Sequence, residues 1–216
     1  MSETDSFIEE VTEAVRRDQL FRAARKWGWI PILLVLLVVG GTGWNEWQRN
    51  REEARAEDLG DRVLAALQLE QPDARVTALA DIQADGTAGA LVRMISAGEL
   101  SATDAKGAGD LLEAIAADAS LPALYRDAAV LKLTMIRDLP MMSDVRIKRL
   151  EALTAPGAPL RLLALEQIAL LQVERGETEA AIATARGIAE DAEASASLRQ
   201  RAEQLVIVLG GKIEGA

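Results

Sequence analysis

The stretch "APLRLLALEQIALLQVERGETEAAIATARGIAED", residues 158–191, decides the fold class. It follows the breaker run Ala155-Pro156-Gly157 and is rich in Leu and Ala, which favour helix over strand. It is interrupted once, at Arg175-Gly176, and resumes as "ETEAAIATA" (177–185). A Gly stop followed, after four intervening residues, by Ala-Ile reads as the turn between two paired helices. Marks of the same kind fall near Gln71-Pro72, Asp85-Gly86, Gly98, Ser120-Leu121-Pro122, Leu139-Pro140 and Gly210-Gly211, leaving segments of about 10–17 residues. No run of alternating β-branched residues competes with them. The chain reads as all-α.

The pairs repeat. [Leu/Tyr]-Arg-x-x-Ala occurs at Tyr125–Ala129, Leu160–Ala164 and Leu198–Ala202, with arginines 35 and then 38 positions apart. Upstream, "LEAIAAD" (112–118), "LEALTAP" (150–156) and "ARGIAED" (185–191) recur at 38 and then 35. A period near 34–38 with two helices per unit marks tetratricopeptide-like stacking. The fixed small Ala lets paired helices approach closely. A terminal capping helix is expected over 195–209. The unit around 138–148, "DLPMMSDVRIK", lacks the Gly turn expected between paired helices, which puts its pairing in question.

Ahead of the repeats lies "RKWGWIPILLVLLVVGGTGWNEWQR" (25–49), uncharged from Trp27 to Asn45. Nineteen residues at about 1.5 Å each span roughly 28 Å, close to a bilayer's hydrocarbon core. Trp27 and Trp29 bracket one end, Trp44 and Trp47 the other, where indoles favour the headgroup zone. Arg25, Lys26 and Arg49 flank the run and can reach lipid phosphates. The apolar run exceeds a cleavable signal's core and no A-x-A site follows, so it reads as an uncleaved signal anchor. Arg16, Arg17, Arg22, Arg25 and Lys26 outnumber Arg49, Arg51 and Arg55, which puts the N-terminus in the cytoplasm. The expected divisions are a cytoplasmic amphipathic, basic arm (1–26), a transmembrane anchor (27–47), a charged linking helix (48–70), a helical-repeat domain (71–211) and a tail (212–216).

Composition removes several functions. There is no Cys and no His, so the usual zinc sites, thiol nucleophiles and Ser-His triads are ruled out. From Glu57 onward, 25 acidic against 16 basic residues leave a net charge of −9, a poor match for nucleic acid. "KGAGD" (106–110) lacks the Lys-Ser/Thr of a phosphate loop and reads as a turn or helix start. Glu151 and Glu166 read as surface carboxylates or Arg partners, not as an acid/base pair. Neither enzyme activity, a cofactor nor a small-molecule substrate is expected.

Taken together, "VRRDQLFRAARKWGWI" (15–30), "GWNEWQ" (43–48), "RNREEARAEDLGDRVLAAL" (49–67), "LPALYRDAAVLKL" (121–133) and the 158–191 pair resemble the YfgM-type family of bacterial inner-membrane proteins. The resemblance spans nearly the whole chain through motifs of low specificity. It implies a single-pass inner-membrane protein with its repeat domain in the periplasm. It further implies partners in the SecYEG translocon, periplasmic chaperones and client chains, and a role in handling secreted or outer-membrane proteins. Assembly of one specific client, such as a c-type cytochrome or a membrane complex, is the alternative for the same architecture. Arg126, Arg161 and Arg199 recur once per unit. They are expected either to stabilise the repeat or to meet acidic or C-terminal groups of a partner.

Overall fold

The computed structural model describes the backbone of residues 29–212 and the side chains of residues 47–212. Every regular element among them is helical: α1 (Trp29–Leu67), α2 (Pro72–Ala80), α3 (Gly86–Leu100), α4 (Ala105–Ala117), α5 (Ala123–Met135), α6 (Ser143–Glu151), α7 (Arg161–Glu174), α8 (Thr178–Glu190) and α9 (Ala196–Val208). The chain divides into two compact units, residues 1–58 and 59–216. The expected boundary between anchor and linking helix, at 47/48, falls inside the unbroken α1. The second unit starts at Leu59, ahead of the expected residue 71, and Ala66 in the last turn of α1 is buried.

Local chemistry explains most helix ends. Pro72 occupies the first turn of α2, where a missing N–H costs nothing. Asp104 Oδ1 accepts from Gly107 N at 2.8 Å and starts α4, so "KGAGD" is a helix start. Ser195 Oγ accepts from Leu198 N at 3.3 Å and starts α9. Gly176 ends α7 with φ +75°, while Gly176 N and Glu177 N bond Val173 O and Gln172 O at 2.9 and 2.8 Å. Gly210 ends α9 in the same Schellman arrangement, with φ +84°. Gly176→Ala forces a Cβ into that left-handed backbone. It is expected to cost about 1 kcal/mol, read as a lower thermal midpoint of the full chain.

Gly98 departs from expectation. It does not end its helix, because α3 runs on to Leu100 and the break falls at 101–104. Buried Ala97 and partly buried Leu100 hold the last turn in place, and nothing lies within 4 Å of the Gly98 Cβ position. An interior glycine costs only about 1 kcal/mol, so such packing outweighs it.

Each helix of the second unit from α3 on packs against its chain neighbours, and α3 also touches α5. One apolar cluster joins Ala90 and Met94 of α3, Leu112 and Ile115 of α4, and Ala129 and Leu133 of α5. A second joins Leu150 and Leu153 with Ala164, Ile168 and Leu171, and takes Val130 and Leu131 from α5. A third gathers Ile188, Leu198 and Ala202, with Leu162 and Leu165 of α7 against it. The buried positions keep the sequence offsets. Ala129, Ala164 and Ala202 are all buried, as are Leu133, Ile168 and Val206, each set spaced 35 and then 38. Alanine at the first position places backbones close together, and the aliphatic at the second fills the space one turn on.

Candidate protein-binding surface

The same offsets identify a recurring exposed position. Met135, Leu170 and Val208 stand 35 and then 38 positions apart on α5, α7 and α9, and all three are solvent-exposed. Each lies two residues past a buried aliphatic (Leu133, Ile168, Val206), which puts it on a different side of its helix from the core stripe. Leu163 adds an exposed apolar side chain two turns before Leu170. An apolar side chain left in water at one recurring position has no use in the core. A recurring exposed apolar position makes this face a candidate for binding another protein.

Met135, Leu170 and Val208 line two of the cavities. One, about 390 Å³, lies between the ends of α3 and α5, with Met94, Leu112, Met135 and Ile136 among its walls and Lys132, Arg137 and Asp138 at its charged edge. The other, about 350 Å³, lies between α7 and α9 over Ala185 and Ile188 of α8, with Leu170, Leu205 and Val208 as apolar walls. Glu166 and Arg201 face each other across the second. Arg201 Nε and Nη2 donate to the two Glu166 carboxylate oxygens at 2.6 and 2.9 Å. Glu166 is thus tied up in a two-pronged ion pair between α7 and α9.

The three recurring arginines do not converge on these cavities. Arg199, fourth in α9, donates to Ala189 O at 3.0 Å, Asp191 O at 3.2 Å and Ala194 O at 3.4 Å, which closes the carbonyl end of α8. Arg161, first in α7, reaches instead to the α8–α9 loop and pairs with Asp191 at 2.9 Å and Glu193 at 2.7 Å. Arg126, fourth in α5, is partly buried with its Nε shielded from solvent and unpartnered. Arg126 and Arg199 sit at equivalent places, 73 positions apart. Asp118 and Asp191 match at the same spacing, and their side chains accept from Ser120 N and Glu193 N at 2.9 Å each. Arg161 has the same sequence motif but a different place in its helix, because α6 is short and the 152–160 turn is long.

Asp191 is held below the ordinary carboxylate range, first by the Glu193 backbone N–H and then by Arg161. Asp118 is lowered in the same direction, first by the Ser120 hydroxyl. A depressed folded-state pKa stabilises the fold above the unfolded value and is lost as pH falls through the folded value. Acidification below about pH 4 should therefore destabilise the α8–α9 end. Asp191→Asn is expected to lower the thermal midpoint at pH 7 and to flatten its decline between pH 5 and 3, followed by circular dichroism. An unchanged acid limb would remove Asp191 from the account.

Sequence reading missed Arg146. It is buried and donates five hydrogen bonds to main-chain oxygens: Nε to Met141 at 3.2 Å, Nη1 to Thr134 at 3.2 Å, and Nη2 to Ile136, Arg137 and Leu139 at 2.8, 3.2 and 3.0 Å. This is the element that "DLPMMSDVRIK" uses where a Gly turn was expected. The guanidinium closes the carbonyl end of α5 and shapes the 136–142 loop. The only hint in the sequence was an arginine three places after Ser143 in a helix with no acidic partner beside it.

No family model, curated protein or solved structure matches this chain. The reading therefore rests on residues and geometry. Of the expected membrane-interface residues, Arg25, Lys26 and Trp27, with the arm 1–26, lie outside the described residues, as do the side chains of Trp29 and Trp44 and the tail beyond Lys212. Trp47 is half-exposed and carries the Arg51 guanidinium 3.8 Å above its ring, one helical turn on. Arg49 is exposed on the same turn. Among the described residues no helix is long and apolar enough to cross a membrane. The uncharged run lies ahead of those whose side chains are described. Also among the described residues, no cluster of three acidic side chains is placed to hold a metal.

Proposed function

We propose that this chain is a YfgM-type, single-pass inner-membrane protein with a tetratricopeptide-like repeat domain that binds proteins in the periplasm beside the SecYEG translocon. The observation that carries the binding role is the exposed apolar position Met135, Leu170 and Val208, repeated at the spacing of the fold, with Met135 lining one cavity and Leu170 and Val208 lining another. An exposed apolar position repeated on successive units suits an apolar, extended or helical partner segment. The uncharged run 27–45 at the start of the long helix α1 supports the membrane anchor, and the basic excess before it supports the orientation. Anchoring a binding surface beside a secretion channel raises its effective concentration for emerging chains.

Photocrosslinking from positions 135, 170 and 44 in intact membranes tests the reading. Translocon subunits, periplasmic chaperones and many secreted chains should be trapped. A single recurrent client would instead favour a dedicated assembly factor, and trapping from position 44 alone would remove the binding role from the repeat surface. Protease added to spheroplasts should digest residues from about 48 onward; protection until detergent is added would reverse the orientation.

A further inference from the structure

We infer that the cavity between α3 and α5 selects partner segments that place an acidic group next to an apolar side chain. The inference rests on the binding role proposed above and adds the partner's charge to it. Its apolar walls include Met94, Leu112, Met135 and Ile136. At its edge stand two exposed cations, Lys132 and Arg137, and neither side chain forms an ion pair with a described carboxylate. Asp138 is the one acidic residue lining the same cavity.

An ordinary explanation exists for a cation at this place. The last turn of a helix favours positive charge, because its carbonyls carry a partial negative charge. Here that need is already met. Arg146, from α6, fills the carbonyl end of α5 by bonding Thr134 O and Ile136 O. Lys132 and Arg137 are surplus to it, and they stand out in a domain whose net charge is −9. The cavity between α7 and α9 gives the contrast. Its cation, Arg201, is bound in both prongs by Glu166 and offers no open charge. The cavity between α7 and α9 is self-neutralised, whereas the one between α3 and α5 presents two positive groups beside methionine and isoleucine. A carboxylate of a bound segment would meet Lys132 and Arg137 while its apolar neighbour entered against Met135.

The test uses the full chain in lipid nanodiscs and fluorescence anisotropy with two probes. One is fluorescein-labelled Ser-Glu-Leu-Glu-Leu-Glu, and the other is its lysine counterpart, Ser-Lys-Leu-Lys-Leu-Lys. The acidic probe should bind roughly tenfold or more tighter than the basic one, and salt should weaken it. The double variant Lys132→Glu, Arg137→Glu should reverse the preference; both side chains are exposed, and an unchanged thermal midpoint confirms the fold. Met135→Gln should weaken both probes. Equal binding of the two probes, or an acidic-probe affinity unmoved by the double reversal, overturns the charge assignment; if Met135→Gln still weakens both, the apolar binding surface stands without it. Binding of neither probe also overturns the assignment, and crosslinking from positions 135 and 170 then judges the surface on its own.

Discussion

Arg146→Met is expected to lower the stability of the full chain by about 3 kcal/mol. Arg146 is 8% exposed, and its guanidinium serves main-chain oxygens of Thr134, Ile136, Arg137, Leu139 and Met141. Methionine fills similar volume but donates nothing. Each buried carbonyl left unpaired costs about 1–3 kcal/mol, and partial rehydration of the 136–142 loop limits the total. Lysine keeps the charge but lacks the planar fork, so Arg146→Lys should recover less than half of the loss. Arg149 is the control. It lies one turn further along α6 and meets Glu113 at 2.6 Å near the surface, so Arg149→Met should cost under about 1 kcal/mol. Urea titration of the four proteins decides it. Equal midpoints for Arg146→Met and Arg149→Met would mean the loop does not depend on the buried guanidinium. Because Arg146 also shapes the loop that carries Arg137, its loss should loosen the edge of the α3–α5 cavity.

Gly89→Ala is the second large effect, expected to cost about 2–3 kcal/mol. A methyl on Gly89 would lie 2.1 Å from the Ala84 carbonyl oxygen and 2.9 Å from its carbon. Both are main chain, so no side chain can swing aside. Relief would require moving the short link between α2 and α3, where Gly89 N bonds Asp85 O at 3.2 Å. Gly98 sits in the same helix with nothing within 4 Å of its Cβ position, so Gly98→Ala should stabilise by up to about 1 kcal/mol. The two substitutions make the same chemical change in one helix with opposite expected signs. Thermal midpoints moving in the same direction would show that helix propensity, not the close approach of the α2–α3 link, governs position 89.

The helices were legible because their punctuation is local. Pro72, Asp104, Ser195, Gly176 and Gly210 each act on backbone within a few residues, and four of the five lie at or beside a break or helix start that the sequence marks. The recurrence of Ala129, Ala164 and Ala202 was legible for a related reason. A residue that must pack between two backbones has to be small wherever the pair recurs. The shared Arg motif was a weaker guide. Arg126 and Arg199 hold equivalent places, whereas Arg161 meets acidic side chains of the following loop, since a motif fixes spacing but not the length of the turn before it. Gly98 misled because an isolated glycine signals a stop only where packing does not hold the next turn.

Sequence by itself determined that the chain is helical, where most helices begin and end, which positions are small, and which chemistries it lacks the side chains for. Each of these follows from short-range propensity or from composition. Only the tertiary structure decided that Arg146 replaces a glycine turn, that Glu166 is occupied by Arg201, and that Met135, Leu170 and Val208 are all left exposed. Those facts depend on where side chains distant in sequence come to rest. That is set by how far neighbouring helices turn as they pack, which no local stretch of sequence encodes.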